Sequence, residues 1–394
     1  MDCGCSKQEA PLAVRSRPRA SKRARARTRG GRSTRRALAR ALAQARSQAP
    51  TQTLNPSTIW VRTDTTECAG GPGANGVCTR NPSILSAIVR LAKESSESGK
   101  TGETGGSSES SESSEIAKDS ALPVAPTPEA GAVRAAAAAL GCDSESCVLA
   151  KMRQRRLAPE PLIRRELERS FKPPGPRHGH ALLSNTNIDG VLRRWADEFP
   201  DFCPCPFAMA DFDTNGDAFA TADPAGLRLE GEARGAPCRT FACVHNTDVS
   251  TGPGIHWVAV FVDMRAPPDS ARDWTVEYFN SAGRPPARPV VRWMERTRVR
   301  LAAVRAQMAS AQMASALQAS PQAQAPAAPR GGAESRAVTG VCHQRSQTEC
   351  GPYALYYIRS RLEGVPVDDF ANPAARISDA TMEAFRQHLF RAPV

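Results

Sequence analysis

The chain lacks any apolar run that could cross a membrane, and it lacks a metal-binding motif. None of its 394 residues lies in a stretch of 18 apolar residues, so no segment is predicted to span a bilayer. The first residues contain no signal-peptide core, and Asp2 excludes N-myristoylation. The 12 cysteines show no C-x-x-C spacing and no accompanying histidine pair, which argues against zinc. We expect no metal or organic cofactor, and reduced cysteines as in intracellular proteins.

The positive charge of the chain is confined to its first residues. The net charge of the chain is +12. Residues 1–50 hold 12 Arg and 2 Lys against Asp2 and Glu9, so the basic and acidic residues of the remaining chain are equal in number. The segment Arg15–Arg46 has no aromatic residue. We predict that residues 1–53 form a disordered tail. Its arginines suit non-specific contact with nucleic acid, and a targeting signal or simple solubility are alternatives.

Composition divides the rest of the chain into an N-terminal part and one large folded domain. The predicted units are a small segment of unknown role (54–94), a Ser/Glu/Gly/Pro-rich linker (95–131), a helical extension (132–174) and a folded domain (175–394) with an Ala/Gln-rich insertion (309–337). Within the domain, periodicity predicts helices around Ile188–Trp195 and Arg292–Met308 and after Ser378, and strands at Cys238–Val249, Ile255–Met264 and Trp274–Phe279. Asp211–Asp217 resembles the opening of a calcium loop, but its twelfth position is Ala222 rather than Glu, so we expect a turn.

Cys350 precedes a helix that begins at Pro352 and is predicted to end at Gly364. Proline suits the first helical turn because its missing N–H would have no partner there. Backbone N–H groups and the positive end of the helix dipole therefore surround the thiol, which favours the thiolate. Cys350 is a candidate nucleophile, although most free cysteines are simply buried apolar residues.

Three polar residues upstream could serve such a nucleophile. His256 begins an otherwise apolar strand, where an ionisable side chain usually has a reason to be present. Asn280 ends the next predicted strand, and its carbonyl oxygen can orient an imidazole. Gln344 offers an N–H donor for an oxyanion, with Gln347 as the competing amide. The alternatives are a hydrogen-bonded core histidine, a turn-initiating asparagine and a solvated loop glutamine.

The order His-Trp, aromatic-aromatic-Asn-Ser, then Gln-x5-Cys-Gly resembles the superfamily of ubiquitin-like-protein (SUMO) proteases and adenain. Within it, the pattern is most similar to the core proteases of large DNA viruses. The resemblance covers about Asn185–Leu362. It implies an α+β, circularly permuted papain-like fold with a central mixed sheet and flanking helices. It also implies that Cys350 is the nucleophile, His256 the base, Asn280 the orienting residue and Gln344 the oxyanion donor.

The resemblance further implies a protein substrate. We expect a cysteine endopeptidase that processes viral structural polyproteins during virion maturation, located in the virion and the host cytoplasm or the nucleus. One alternative is an isopeptidase that removes ubiquitin-like modifiers. Another is an inactive protease fold that packages nucleic acid. Asn280 stands where cellular SUMO proteases have Asp, which favours the viral group.

Overall fold

A mixed five-stranded sheet forms the centre of the larger domain. In the computed structural model, residues 66–69, 71–98, 127–176, 180–319 and 331–391 are described. The strands lie in the order β1-β2-β3-β4-β5, with β2, β3 and β4 antiparallel and both edge strands parallel to their neighbours. They are β1 (Phe202–Pro204), β2 (Thr240–Asn246), β3 (Trp257–Asp263), β4 (Trp274–Phe279) and β5 (Ala333–Val338). The predicted α+β architecture is confirmed.

Helices come before, between and after the strands and cover both faces of the sheet. They are α1 (Pro82–Ser98), α2 (Pro128–Leu140), α3 (Glu145–Gln154), α4 (Glu160–Ser170), α5 (Asn185–Glu198), α6 (Phe212–Asn215), α7 (Ala218–Thr221), α8 (Pro224–Arg234), α9 (Arg288–Ala319), α10 (Cys350–Leu362), α11 (Val367–Phe370) and α12 (Asp379–Leu389). Among the described residues, no helix is long and apolar enough to span a membrane.

Strand β3 separates two apolar cores because its side chains alternate between the faces of the sheet. Trp257, Ala259 and Phe261 pack with α5, α10 and α12, whereas Val258 and Val260 belong to the core beneath α8 and α9. Every residue of β3 is buried. The strand therefore fixes the residue immediately before it, His256, at the edge of a rigid layer.

A buried ionic cluster ties α10 to the sheet. The Arg361 guanidinium donates to both oxygens of Glu277 at 2.7 and 2.8 Å and to Asp263 at 3.1 Å. The Tyr357 hydroxyl donates to Glu277 at 2.7 Å. These charges compensate one another away from water, and the bidentate geometry fixes the rotation of α10 about its axis.

The N-terminal helices form a separate core. Residues from α1 to α4 pack together around Ile88, Leu149 and Ile163, so the small segment and the helical extension share one unit.

Disulfides join Cys68 to Cys78, Cys142 to Cys147 and Cys203 to Cys238. The expectation of reduced cysteines is therefore wrong for these six residues. In the part of the chain that the structure describes, the remaining cysteines, Cys205, Cys243, Cys342 and Cys350, are not in disulfides.

Several predicted boundaries differ from the structure. Helix α1 continues to Ser98 and α2 begins at Pro128, so both ends of the expected linker 95–131 are helical. Helix α9 and strand β5 occupy much of the expected insertion 309–337, of which only residues 320–330 lie outside the described residues. The helix predicted around Ile188–Trp195 is α5, which begins earlier, and the Ser184 side chain caps it by accepting from the Asn187 N–H. The Arg-rich tail and most of the linker also lie outside the described residues.

The stretch Asp211–Asp217 contains a single helical turn, α6, which ends at Gly216. Gly216 has a φ of 82°, a left-handed conformation that favours glycine. The chain therefore turns here, as predicted, and it does so through a short helix of four residues.

We predict that Arg361→Met destabilises the protein by about 3–5 kcal/mol, because it leaves Glu277 buried without its counter-charge. The free energy of unfolding in urea measures the effect. The matched control is Arg292→Met, which removes an exposed ion pair with Asp213 and should cost less than about 1 kcal/mol. Equal losses in the two variants would contradict the role given to the buried cluster.

Candidate active site

A cleft of about 430 Å³ opens beside the start of α10. Its walls come from three separate parts of the chain, namely residues 182–185, residues 207–217, and the segment that leads into β3. Trp257 and Leu183 line it near Cys350, and the Trp257 indole N–H donates to the Leu183 carbonyl oxygen at 3.0 Å. This bond holds two walls of the cleft together close to the thiol.

Cys350 is the first residue of α10 and is 2% exposed. Burial raises the pKa of its thiol, and the neighbouring charge of Glu349 raises it too; backbone N–H groups of Trp257, Gly351 and Cys350 itself lower it. The net direction is upward. The sequence-based expectation of a lowered thiol pKa is therefore wrong, because desolvation outweighs the helix start. The thiol needs a base to become a nucleophile.

His256 and Asn280 meet at the edge of the sheet. His256 Nε2 lies 2.9 Å from Asn280 Oδ1. The Asn280 amide is oriented by its other bonds, since Oδ1 accepts from the Ala282 N–H at 2.9 Å and Nδ2 donates to the Tyr278 hydroxyl at 3.1 Å. An oxygen at that position requires the proton on Nε2, so Nδ1 carries the free lone pair. The imidazole is thereby held in one tautomer, with Nδ1 able to accept a proton.

Burial lowers the pKa of His256, and Arg284 lowers it further, whereas the bond to Asn280 raises it. A lowered histidine pKa and a raised cysteine pKa both favour the neutral thiol–imidazole pair in the free protein.

The two candidate glutamines lie in different environments. Gln344 is 4% exposed, and its Oε1 accepts from the Ser281 hydroxyl at 2.8 Å while its Nε2 donates to the Ser346 carbonyl oxygen at 2.8 Å. Gln347 is exposed. An oxyanion donor must be held in place before the reaction, and of these two amides it is Gln344 that is held in this way.

The loop between Gln344 and Cys350 is anchored by α12. Asp379 accepts from the Arg345 and Ser346 N–H groups. The buried pair Glu349–Arg386 has a closest N–O distance of 3.0 Å, and Arg386 also donates to the Ala181 carbonyl oxygen at 2.7 Å. Arg386 therefore links the residue before the thiol to the chain that forms one wall of the cleft.

The supporting residues Tyr278, Ser281 and Arg386 were not predicted from the sequence. Tyr278 and Ser281 flank Asn280 closely, so their position beside a candidate residue was the available signal. No signal in the sequence pointed to Arg386, since it is 37 residues from Glu349 along the chain.

The described residues contain one group with metal-ligand chemistry, Glu67, Cys78 and Glu145. Cys78 is bonded to Cys68, and the Glu145 oxygens accept from the N–H groups of Cys78 and Thr79 at 2.8 Å. The oxygens of Glu145 are thus already used to hold the backbone. This group lies in the N-terminal unit, outside the cleft described above.

The structure thus has a cysteine at the start of a buried helix, a hydrogen-bonded histidine–asparagine pair and a held glutamine, in the chain order expected of a permuted papain-like thiol peptidase. Residues 241–392 match the C-terminal catalytic domain of the Ulp1 protease family. The chain is 44% identical over 261 residues to a cysteine protease of African swine fever virus, isolate Tick/Malawi, covering 64% of this chain and 84% of that protein. The corresponding protein from isolate Pig/Kenya, named a SUMO-1 cysteine protease, is 43% identical over 64% of this chain and 84% of its own length.

A crystal structure of the African swine fever virus protease superposes with a TM-score of 0.54 and 33% identity, covering 83% of this chain and 96% of that one. The chain therefore belongs to the Ulp1 protease family and is a cysteine peptidase. Within that family it is similar to the African swine fever virus enzymes over most of their length.

We predict that peptidase activity is lost on acidification only below the ordinary histidine pKa of about 6.5. The neutral imidazole is the competent base, and the lowered pKa of His256 keeps it neutral to lower pH. The measurement is the pH dependence of kcat/KM for a peptide. Asn280→Ala removes the bond that raises this pKa, so its acid limb should move further down while the plateau falls at least about tenfold. An acid limb above the ordinary value would contradict the prediction.

Proposed function

We propose that this chain is an endopeptidase that cleaves viral structural or core polyproteins during virion maturation. The observation that carries the proposal is the oriented His256–Asn280 pair, whose histidine immediately precedes Trp257 of the cleft that Cys350 also lines. Similarity to African swine fever virus proteases supports the viral setting. We infer that it acts in the virion and the host cytoplasm, with the nucleus as an alternative.

In the proposed reaction, Cys350 Sγ bonds to the carbonyl carbon of the scissile peptide while its proton passes to His256 Nδ1. Asn280 Oδ1 keeps the Nε2 proton in place and stabilises the imidazolium that forms. The negative carbonyl oxygen accepts from Gln344 Nε2 and from the backbone N–H of Cys350. His256 then gives its proton to the leaving amine, and an acyl-enzyme results. Water activated by His256 hydrolyses that thioester and restores the thiol.

The walls beside the thiol favour a small residue on the acyl side of the scissile bond. Trp257 is held to Leu183 across the cleft. We propose glycine at the cleaved position, as the family resemblance implies.

A second candidate is removal of ubiquitin-like modifiers. It is favoured by the Ulp1 family match and by the SUMO-1 cysteine protease name of a relative. Both candidates require a glycine-containing segment in the cleft. They differ in whether a folded modifier is needed.

We predict that the protein cleaves Gly-Gly-containing peptides and that Cys350→Ala reduces this cleavage by at least about 10⁴-fold, since the acyl-enzyme cannot form without the thiol. Mass spectrometry of a peptide panel and of modifier conjugates gives the readout. Activity confined to conjugates would favour the deconjugase. Full cleavage by Cys350→Ala would show that another residue is the nucleophile.

We also propose that Arg15–Arg46 binds nucleic acid through its phosphates. Deletion of residues 1–50 should remove the salt-sensitive binding of DNA, because the remaining residues have equal numbers of basic and acidic side chains and so carry no net positive charge. Binding measured over a series of salt concentrations tests this, with the Cys350→Ala protein as the control that keeps the tail. Unchanged affinity after the deletion would refute the assignment.

A further inference from the structure

Ser281 lies in the turn that follows β4, directly after Asn280, and is 1% exposed. Its hydroxyl donates to Gln344 Oε1 at 2.8 Å. Its carbonyl oxygen accepts from the N–H groups of His343 and Gln344 at 2.8 and 3.0 Å. One residue of this turn therefore fixes both the main chain and the side chain of Gln344.

Two bonds together determine which end of the Gln344 amide is available to a substrate. The Ser346 carbonyl oxygen can only accept, so it selects Nε2, and the Ser281 hydroxyl holds Oε1 on the other side. A primary amide has an accepting oxygen and a donating nitrogen at nearly the same distance from the chain. With Oε1 held by Ser281, Nε2 is turned the other way. One of its hydrogens goes to the Ser346 carbonyl oxygen, which leaves the second for a developing negative oxygen. The reversed amide would place Oε1 against that carbonyl and would repel an oxyanion.

The turn itself is held firmly against the segment before Gln344. Gly283 has a φ of 70°, and a Cβ there would lie 3.0 Å from the Val341 carbonyl oxygen. The Gly283 carbonyl oxygen accepts from the Gly340 N–H at 3.0 Å. Because the two backbones are fixed to each other, Ser281 and Gln344 are held at a constant separation.

We propose that Ser281 is a positioning residue for the oxyanion donor and that it affects the reaction only through Gln344. The inference rests on the proposed role of Gln344. The turn Asn280–Ser281 thus orients the base through its first residue and the oxyanion donor through its second.

The variants are Ser281→Ala, Gln344→Ala and the double variant, with kcat and KM measured on a peptide substrate. Loss of an oxyanion donor typically lowers kcat about 10²–10³-fold. Ser281→Ala leaves the donor present and bonded to Ser346 but removes the bond that holds Oε1, so we expect a smaller fall, about tenfold, with KM unchanged. The double variant should match Gln344→Ala, because a residue that acts only through another has no effect once that other is gone.

A second measurement separates positioning from general damage to the site. Iodoacetamide alkylates Cys350 by displacement of iodide at a tetrahedral carbon, a reaction that forms no oxyanion. We expect the alkylation rate of Cys350, followed by mapping of the adduct, to be unchanged in Ser281→Ala.

The matched control is Ser360→Ala in α10, which removes a fully buried hydroxyl that has no hydrogen-bond partner in the described part of the chain. It should leave kcat unchanged. If Ser281→Ala does not fold, Ser281→Cys keeps the side-chain volume with a weak donor and carries the same test.

The inference would be overturned if kcat of the double variant were lower than that of Gln344→Ala by the same factor that Ser281→Ala alone produces. It would also be overturned if the rate of Cys350 alkylation fell in Ser281→Ala along with kcat. A Ser281→Ala enzyme with wild-type kcat would also overturn it. If Gln344→Ala itself keeps wild-type kcat, the proposed oxyanion donor is wrong, and that failure is distinct from a failure at Ser281.

Discussion

Helix α10 has almost no face toward solvent, and this constraint determines much of the domain around it. Of its residues, all but Arg359 are buried. A charged residue inside such a helix must find its counter-charges in the protein, and Arg361 finds them on β3 and β4. The bidentate contact with Glu277 allows one rotation of the helix. Cys350, about three turns earlier, is thereby placed at the floor of the cleft by an interaction remote from it.

The chemical groups of the site are held by backbone and side-chain bonds of neighbouring turns. The turn after β4 carries Asn280, which fixes the imidazole tautomer, and Ser281, which bonds to Gln344. Asp379 and Arg386, at α12, hold the loop that leads to the thiol. The catalytic geometry is thus a property of the contacts between turns and helices, and no single loop supplies it.

The sequence predicted the fold class and the best-patterned elements. Strand β4 has the predicted bounds, since its alternation is regular and its apolar residues are large. Strand β1 has three residues, too few to show a period. Strand β5 lies almost entirely in the predicted insertion, because its residues 333–337 are small or charged and show no apolar alternation. Helix α9 continues eleven residues past its predicted end at Met308, through an Ala-rich segment that composition alone did not separate from a loop.

The candidate site could be named from residue types and spacing, because each type has a specific chemical task. His256 and Asn280 are in contact in the structure, and their catalytic roles stay predictions. The direction of the Cys350 pKa could not be predicted, since it depends on burial by residues distant in sequence. Ser281 and Gln344 are 63 residues apart, and no local pattern reveals a bond across that separation.

The position of α12 has a consequence for the timing of activity during synthesis. The loop before Cys350 depends on Asp379 and Arg386, which leave the ribosome after the nucleophile does. A nascent chain that ends between these points has its thiol but not the anchors of the surrounding loop. The loop before Cys350 therefore acquires its anchors only once α12 has been made and has docked.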